Sequence, residues 1–299
     1  MSGATSRFFG EKSEDASGAR GASELRRVTA ESLPAARALL EAAPHLAMFP
    51  LVNLDRHGLD GDAPRAQMMW TDGTAVLAVT REGMILPFGP EDSATAMARV
   101  LAGRRVIGIA GSRGVARALQ RAAGLSRAAA KLDEDEPQFL LSLDALRVPD
   151  GPGRLIPLSE APRAQMESWR VAYDVEALGE TEGDALARGG AILDAYLEAD
   201  SHRVLMVGGE AVAMTGFNAT LTHIVQVGGV YTPPGLRGRG HARRAVALHL
   251  EEARDKGVMQ ATLFASGAAA VRAYQAIGFD RIGDWTLLLF KGDGVTVDG

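Results

Sequence analysis

The segment from Val227 to Ala242 reads Val-Gly-Gly-Val-Tyr-Thr-Pro-Pro-Gly-Leu-Arg-Gly-Arg-Gly-His-Ala, and it joins a predicted strand to a predicted helix. The strand ends at Thr232, because the two prolines that follow cannot donate ladder hydrogen bonds. The helix begins at Gly240, and its apolar residues recur at near-helical spacing on one face. The segment therefore predicts a strand, a glycine-rich turn and a helix start in one unit.

This predicted helix start has the features of an anion-binding cradle. The first N–H groups of a helix lack backbone partners, and the helix dipole adds partial positive charge there. Gly238 and Gly240 carry no side chains that would block close approach, and Arg237, Arg239 and Arg243 add positive charge. The expected ligand is a phosphate or pyrophosphate. The alternative is a tight turn whose glycines serve only the chain geometry.

Two common nucleotide-binding motifs do not fit this segment. No Gly-Lys-Ser/Thr ends the glycine run, which excludes a P-loop. A dinucleotide fingerprint would need an acidic residue at a strand end about 20 residues later, where this chain is still predicted to be helical.

The segment resembles motif A of the GNAT superfamily, the Gcn5-related N-acetyltransferases. That motif reads Gln/Arg-x-x-Gly-x-Gly/Ala, and here it spans Arg237 to Ala242. The resemblance implies that the amides of Gly238 to Arg243 bind the pyrophosphate of acetyl-CoA. It also implies that the backbone of Val230 to Thr232 pairs with the pantetheine arm and polarises the thioester carbonyl. The implied cofactor-binding residues are Val230, Tyr231, Thr232, Arg237, Gly238, Arg239, Gly240, His241, Ala242 and Arg243.

A second motif follows at Ala270 to Phe279, where the chain reads Ala-Val-Arg-Ala-Tyr-Gln-Ala-Ile-Gly-Phe. It resembles GNAT motif B, commonly Asn-x-x-Ala-x-x-x-Tyr-x-x-x-Gly-Phe. The resemblance implies that Tyr274 is catalytic and protonates the departing CoA thiolate. The alternative is an aromatic that packs on the sheet. Gly267 replaces the usual asparagine, which leaves Ser266 as the candidate for that cofactor contact.

The chain organisation follows from a cluster of turn-forming residues at Val148 to Gly153. We expect a flexible tail at 1–23, a divergent GNAT-like domain without a cofactor site at 24–150, and a catalytic GNAT domain at 151–299. The fold class is α+β, with a mixed, mostly antiparallel sheet flanked by helices. A weakly marked N-terminal half is typical of a bacterial group of predicted GNAT proteins that this chain resembles. We interpret the glycines of 108–114 as a structural turn.

The order of strands and helices follows from the apolar patterns of the two halves. The first half is expected to close with a strand at Phe139 to Leu143. The second half is expected in the order β-α-α-β-β-β-α-β-α-β-β, ending with two strands through Phe290.

Composition restricts the partners and the compartment. The 299 residues carry a net charge of −5 and no cysteine, which argues against nucleic acid as a general partner and excludes an acyl-cysteine intermediate. No apolar run is long enough to span a membrane, and the six histidines show no metal-ligand spacing. We expect a cytoplasmic protein with acetyl-CoA as cosubstrate and no metal, and we keep a homodimer open.

The predicted function is an acyl-CoA-dependent N-acetyltransferase, in which an amine attacks the thioester directly. The acceptor is a small amine or a peptide amine. The alternative function is a non-catalytic acyl-CoA-binding sensor or partner-docking module, which would share the cradle and need no acid.

The sequence does not identify the general base or the acceptor pocket. Asp174, Glu176, His223 and Gln226 are candidates for the base, but none has distinctive spacing. The aromatic residues that could line an acceptor pocket are Trp169, Tyr173 and Phe217.

Overall fold

The computed structural model describes residues 24–298, which form eight α-helices and fourteen strands. The predicted tail at 1–23 lies outside the described residues. The helices are α1 Leu33–Glu41, α2 Met48–His57, α3 Ala94–Leu101, α4 Arg113–Ala122, α5 Arg163–Leu178, α6 Glu182–Glu198, α7 His241–Asp255 and α8 Gly267–Ala276. The strands are β1 Arg26–Arg27, β2 Gln67–Thr71, β3 Val76–Thr80, β4 Met84–Phe88, β5 Arg105–Val106, β6 Gly108–Ser112, β7 Ala130–Ser142, β8 Arg154–Pro157, β9 His202–Val207, β10 Glu210–Thr220, β11 Ile224–Tyr231, β12 Gln260–Phe264, β13 Asp280–Phe290 and β14 Val295–Thr296.

Twelve of these strands form one sheet in the order β1-β2-β3-β4-β6-β13-β7-β12-β11-β10-β9-β8, and β5 pairs separately with β14. Within the large sheet, β4 and β6 are parallel, as are β11 and β12, and the other neighbours are antiparallel. The predicted mixed, mostly antiparallel sheet flanked by helices is therefore confirmed.

The sheet is built from two halves that exchange their last strands. Each half runs β-α-α-β-β-β-α-β-α-β through its large-sheet strands. The last strand of the first half, β7, pairs with β12 of the second, while β13 pairs with β6 of the first. Because β7 and β13 also pair with each other along most of their length, the sheet runs unbroken through both halves. The division at residue 150 stays a prediction.

Several elements differ from the sequence-based expectations. The strand predicted at Phe139 to Leu143 extends over Ala130–Ser142, and the two strands predicted through Phe290 are one strand, Asp280–Phe290. The first half of β7 reads Lys-Leu-Asp-Glu-Asp-Glu, a polar run that resembles a loop because it faces ion pairs on one side and a cavity on the other. Helix α2 and strand β2 were not predicted, and Pro50 in the first turn of α2 obscures its helical pattern.

The helices cover both faces of the sheet. Helices α3, α4, α7 and α8 pack on the face that carries Ile109, Phe139 and Leu263. Helices α1, α2, α5 and α6 pack on the opposite face, against residues such as Ala110 and Met214. Two local signals separate α5 from α6: Gly179 ends α5 with φ 64°, and the Thr181 hydroxyl accepts the Asp184 N–H at 3.2 Å.

The glycines of 108–114 allow close packing. A Cβ added at Gly111 would lie 3.0 Å from the Pro87 carbonyl oxygen, and one at Gly114 would lie 2.4 Å from Glu91 Oε1. Gly108 and Gly111 lie inside β6 and Gly114 inside α4, so the residues do not form the separate turn that we expected. Their role is nevertheless structural, because a side chain at Gly111 would collide with Pro87 of β4 and one at Gly114 would collide with Glu91, which follows β4.

Candidate functional site: a cavity at a splayed strand pair

The site begins where β11 and β12 separate. The two strands pair in parallel from Ile224 opposite Gln260 to Val227 opposite Leu263, and no further. Strand β11 continues to Tyr231 alongside β10, and the ladder between them has two register shifts, one of which leaves an extra residue in β11 between Gly228 and Tyr231. Gly229 has φ 62°, a left-handed value that favours glycine. The backbone of β11 beyond Val227 is therefore unpaired on the side of β12, and the two strands leave a V-shaped opening between them.

The predicted cradle lies at the mouth of this opening. Gly238 and Gly240 have φ 77° and 81°, and Gly240 is the N-cap of α7. A Cβ added at Gly238 would meet no atom within 4 Å, so the space above the turn is open. No side chain in the described chain caps the first turn of α7. The first N–H groups of this helix are therefore available to an anion.

A cavity of about 1540 Å³ connects the cradle, the opening and Tyr274. Every residue that the sequence predicts to bind acetyl-CoA lines this cavity, as does Ser266. These are Val230, Tyr231, Thr232, Arg237, Gly238, Arg239, Gly240, His241, Ala242 and Arg243.

The three arginines of the cradle have different surroundings. The Arg237 guanidinium donates to Glu176 Oε2 at 2.5 Å, and its Nε donates to the Thr232 carbonyl at 2.8 Å. Arg239 donates to the Gly235 carbonyl at 3.3 Å. The Nε of Arg243 is buried without a partner among the described residues, and so is the Thr232 hydroxyl. Arg237 therefore braces the turn, whereas Arg243 and Thr232 keep hydrogen-bonding capacity for a polar ligand.

Tyr274 lies on α8 with its ring packed edge-on against Phe279, at 6.0 Å between ring centres. Burial raises the pKa of Tyr274 well above the usual phenol range, and the nearby Tyr173 and Glu136 raise this pKa further. Within residues 24–298 its hydroxyl makes no hydrogen bond, and the residue lines the cavity. Tyr274 is therefore a protonated donor at neutral pH, with its hydroxyl free to contact a ligand.

The four candidates for the general base differ in their positions and in their partners. Asp174 forms a buried ion pair with Arg170; burial raises the pKa of Asp174 and the arginine opposes this. Glu176 is engaged by Arg237 and accepts from the Tyr231 hydroxyl at 3.2 Å. His223 is exposed at the far end of β11 and does not line the cavity. Gln226 does line it, with its Oε1 unpartnered in the described chain.

Of the aromatic candidates for an acceptor pocket, Tyr173 and Phe217 line the cavity and Trp169 does not. Trp169 packs in the core with its ring centre 6.0 Å from that of Tyr231. The sequence analysis missed a further set of lining residues, contributed by α2 and the three central strands. They are Phe49, Glu134, Glu136, Phe264 and Trp285. The acidic run from Asp133 to Glu136 was a signal for the two glutamates, whereas no local pattern indicates the aromatic residues.

Two buried histidines support the opening, and the sequence analysis missed them as well. The His202 ring fits where Gly216 and Gly229 lack side chains, since a Cβ at either would lie within 2.6 Å of its Nε2. It stacks on Tyr196 at 3.6 Å, and Ser201 Oγ lies 2.9 Å from its Nδ1. Burial lowers the pKa of His202 and that of His249, each to about 3. Both imidazoles are therefore neutral supports.

Residues 24–298 contain no group of histidine and acidic side chains arranged to hold a metal ion. None of the helices within that range is long and apolar enough to cross a membrane.

Both the sequence and the fold resemble those of known proteins. Residues 163–279 match the model of the acetyltransferase (GNAT) family. No curated protein matches the sequence.

Three solved structures resemble the fold across both halves of the chain. A Drosophila protein aligns with TM-score 0.59 and 13% identity, over 89% of this chain and 98% of its own. A GCN5-related N-acetyltransferase from Sphaerobacter thermophilus aligns with TM-score 0.51 and 15% identity, over 92% and 97%. Another from Kribbella flavida aligns with TM-score 0.50 and 16% identity, over 76% and 91%. At these identities the likeness concerns the fold.

Proposed function

We propose that this chain, whose residues 163–279 match the model of the acetyltransferase (GNAT) family, is an N-acetyltransferase that moves an acetyl group from acetyl-CoA to an amine. One observation carries the proposal: the open cradle at Gly238 and Gly240 and the Tyr274 hydroxyl line the same cavity, with the unpaired edge of β11 between them.

The cradle suits the pyrophosphate of acetyl-CoA. A diphosphate needs several converging donors, because each helix-end charge interaction contributes only about 0.3–1 kcal/mol when exposed. Here the free N–H groups of α7 are joined by Arg243 Nε and the Thr232 hydroxyl, both buried and unpartnered in the described chain. These groups give the donor density that a diphosphate requires.

The splayed strand suits the rest of the donor. The pantetheine arm is an extended chain with two amides, and it can add to an unpaired strand edge as a further strand does. An N–H of β11 would then donate to the thioester carbonyl, where negative charge develops as the amine attacks. Acetyl-CoA supplies the activated acetyl thioester, and the protein supplies orientation and charge stabilisation.

Tyr274 suits the departing sulfur. Its raised pKa keeps the hydroxyl protonated, so it can donate a hydrogen bond to the developing thiolate. Because a thiolate is a weaker base than a phenolate, full proton transfer to sulfur requires that the phenol regain a proton from the attacking nitrogen. We expect a direct attack by the amine, and the absence of cysteine excludes an acyl-cysteine intermediate.

Isothermal titration calorimetry with acetyl-CoA and with S-acetylpantetheine, which lacks the diphosphate, tests the proposal. We expect acetyl-CoA to bind and S-acetylpantetheine to bind much more weakly. CoA release in the presence of an amine panel then tests transfer. An absence of acetyl-CoA binding at millimolar ligand contradicts the proposal, and binding without any transfer supports the sensor alternative instead.

A further inference from the structure

The part of the cavity beyond the opening carries an aromatic cluster. Phe264 stacks on Trp285 at 4.6 Å between ring centres, and Phe49 lies 6.0 Å from Trp285 and 6.5 Å from Phe264. All three residues line the cavity. The cluster joins α2 and β13 to β12, the strand that borders the opening. An apolar group of a ligand placed here would lie next to the reacting end of the donor.

Two carboxylates lie on the same face of the sheet. Glu136 is opposite Trp285 in the β7–β13 ladder and Glu134 is opposite Leu287, and such cross-strand partners share a face. Both glutamates line the cavity. Asp133 and Asp135 of β7 point to the other face, where Arg117 contacts both. Neither Glu134 nor Glu136 forms an ion pair in the described part of the chain.

Gln226 adds an independent indication of a ligand. Its side chain is 2% exposed and lines the cavity. The Nε2 group donates to the Val227 carbonyl at 2.6 Å, while Oε1 is buried without a partner among residues 24–298. A buried acceptor without a donor costs roughly 1–3 kcal/mol. Gln226 Oε1 therefore accepts a hydrogen bond readily from a group that enters the cavity.

The charge around this part of the cavity favours a cation. The lining guanidinium groups of Arg170, Arg188 and Arg237 are each neutralised by a carboxylate, from Asp174, Glu180 and Glu176 respectively. The other lining arginines outside the cradle, Arg56, Arg65 and Arg272, are exposed, so solvent screens their charge.

Glu136 and Tyr274 line the same cavity. Burial is the main cause of the raised pKa of Tyr274, and the charge of Glu136 contributes to it, as it contributes to the raised pKa of Tyr173. The carboxylate and the phenol border the same cavity, one from β7 and the other from α8.

We propose that the acceptor is a primary amine that is positively charged at neutral pH and carries an apolar, preferably aromatic, group. The aromatic cluster of Phe49, Phe264 and Trp285 holds the apolar group. Glu136 holds the ammonium and removes its proton, and Gln226 Oε1 accepts a further N–H. This inference rests on the proposed function, and it assigns the base to a strand of the N-terminal half.

The proposed reaction conserves protons and electron pairs. The ammonium gives one proton to Glu136, and the freed lone pair of nitrogen attacks the thioester carbon to form the C–N bond. The C–S bond breaks with its electron pair on sulfur, which takes the proton of Tyr274. The second proton that nitrogen loses restores the phenol. Glu136 then releases its proton to solvent, so each turnover yields one amide, one CoA thiol and one proton.

An acceptor panel tests the substrate class. The panel contains 2-phenylethylamine and tryptamine, ethylamine without the apolar group, and phenylalanine with an added carboxylate. We expect kcat/KM for 2-phenylethylamine to exceed that for ethylamine by roughly tenfold or more, from burial of the ring. Phenylalanine should be the poorest of the aromatic acceptors, because its carboxylate faces Glu134 and Glu136.

The Glu136→Gln substitution tests the base. We expect kcat/KM to fall roughly 100-fold at pH 7 and to recover as the pH rises towards the pKa of the amine, where free amine no longer needs a base. Asp133→Asn removes the same charge from the opposite face of the same strand, and it should change kcat/KM by less than about twofold. Unchanged acetyl-CoA affinity in Glu136→Gln shows that the variant is folded.

The outcomes separate the inference from the proposed function. Loss of acetyl-CoA binding in the wild-type protein overturns the proposed function and the inference with it. Acetyl-CoA binding with transfer to none of the aromatic amines, or with preference for ethylamine or phenylalanine, overturns only the acceptor class. Wild-type kcat/KM and pH profile in Glu136→Gln overturn the role of Glu136.

Discussion

Arg237 of the glycine-rich turn and Glu176 of α5 form an ion pair at 2.5 Å across the mouth of the cavity. The same arginine donates to the Thr232 carbonyl, and the same glutamate accepts from the Tyr231 hydroxyl. This pair therefore ties the turn before α7 to the end of β11 and to α5. It fixes the turn relative to the open strand edge without using the N–H groups of α7.

Breaking this link should loosen the cradle more than the fold. The side chains of Arg237 and Glu176 are 48% and 42% exposed, so the pair contributes at most about 1 kcal/mol to the free energy of unfolding. We expect Glu176→Gln to weaken acetyl-CoA binding several-fold in calorimetry with little change in Tm. Glu167→Gln, which breaks the surface pair of Arg163 and Glu167 on the same helix, is the matched control. Equal effects of the two variants would contradict this role.

Gly240 is the position where added negative charge should do most harm. Its φ of 81° strains any other residue, at a cost of roughly 1–3 kcal/mol, and its side chain would enter the cradle. We expect Gly240→Asp to weaken acetyl-CoA binding more than tenfold. Gly240→Asn carries nearly the same strain and volume without the charge and should bind better than the aspartate variant. Wild-type affinity in Gly240→Asp would rule out a diphosphate in the cradle.

Loss of the Tyr274 hydroxyl should lower turnover without changing the binding of acetyl-CoA. Its hydroxyl makes no hydrogen bond within the described residues, so Tyr274→Phe removes no internal contact and should leave Tm and acetyl-CoA affinity nearly unchanged. The loss of a donor to sulfur should lower kcat by about 100-fold. CoA release at saturating acceptor measures this effect. An unchanged kcat would mean that another group protonates the thiolate.

The sequence carried more information about the donor site than about the acceptor site, for a physical reason. The donor is held by backbone groups, whose geometry requires glycines at 238 and 240, and this requirement leaves a local pattern. The acceptor part of the cavity is lined by side chains such as Phe49, Glu136 and Trp285, which come from α2, β7 and β13. They meet only because the two halves exchange strands, and no local spacing records that exchange.

A missing local pattern also explains why strand β7 was predicted only in part. The apolar spacing from Leu33 to Ala43 predicts a helix and the run from Met84 to Phe88 predicts a strand, and both predictions agree with α1 and β4 to within two residues. In the first half of β7, the side chains of Asp133 and Asp135 face arginines on one side of the sheet, and those of Glu134 and Glu136 face the cavity on the other. Without an apolar face, the strand lacks the alternation on which its prediction depends.

The first half has a counterpart of the β11–β12 opening, and it is closed. Strands β4 and β6 pair only at Met84 and Ile85, but Pro87 packs against Gly111 and Glu91 against Gly114. The turn before α3 carries acidic residues where the second half carries glycines and arginines. We therefore predict one acetyl-CoA per chain in calorimetry, and a stoichiometry near two would contradict it. Gly240→Asp should abolish the single binding event without revealing a second one.

The buried histidines should make stability depend on pH below neutrality. Burial lowers the pKa of His202 and of His249 to about 3, whereas an unfolded histidine has a pKa of about 6.5. Between these pH values the unfolded chain binds more protons than the folded chain. The free energy of unfolding therefore decreases as the pH drops below about 6.5, and above that pH the two histidines do not reduce it. Each histidine contributes a slope approaching about 1.4 kcal/mol per pH unit. His45, whose pKa burial also lowers, acts in the same direction.

Urea unfolding between pH 7.5 and 5 measures this dependence, in a range that lies above the titration of most carboxylates. His249→Gln keeps a polar side chain beside Phe217 but cannot take up a proton in this range. Its unfolding free energy should therefore decline with falling pH less steeply than that of the wild type, by up to about one proton's slope. Replacing the exposed His223 by glutamine is the matched control and should leave the slope unchanged. An equal slope in the wild type and His249→Gln would show that His249 takes up its proton in the folded protein, with the imidazole charged against the ring of Phe217.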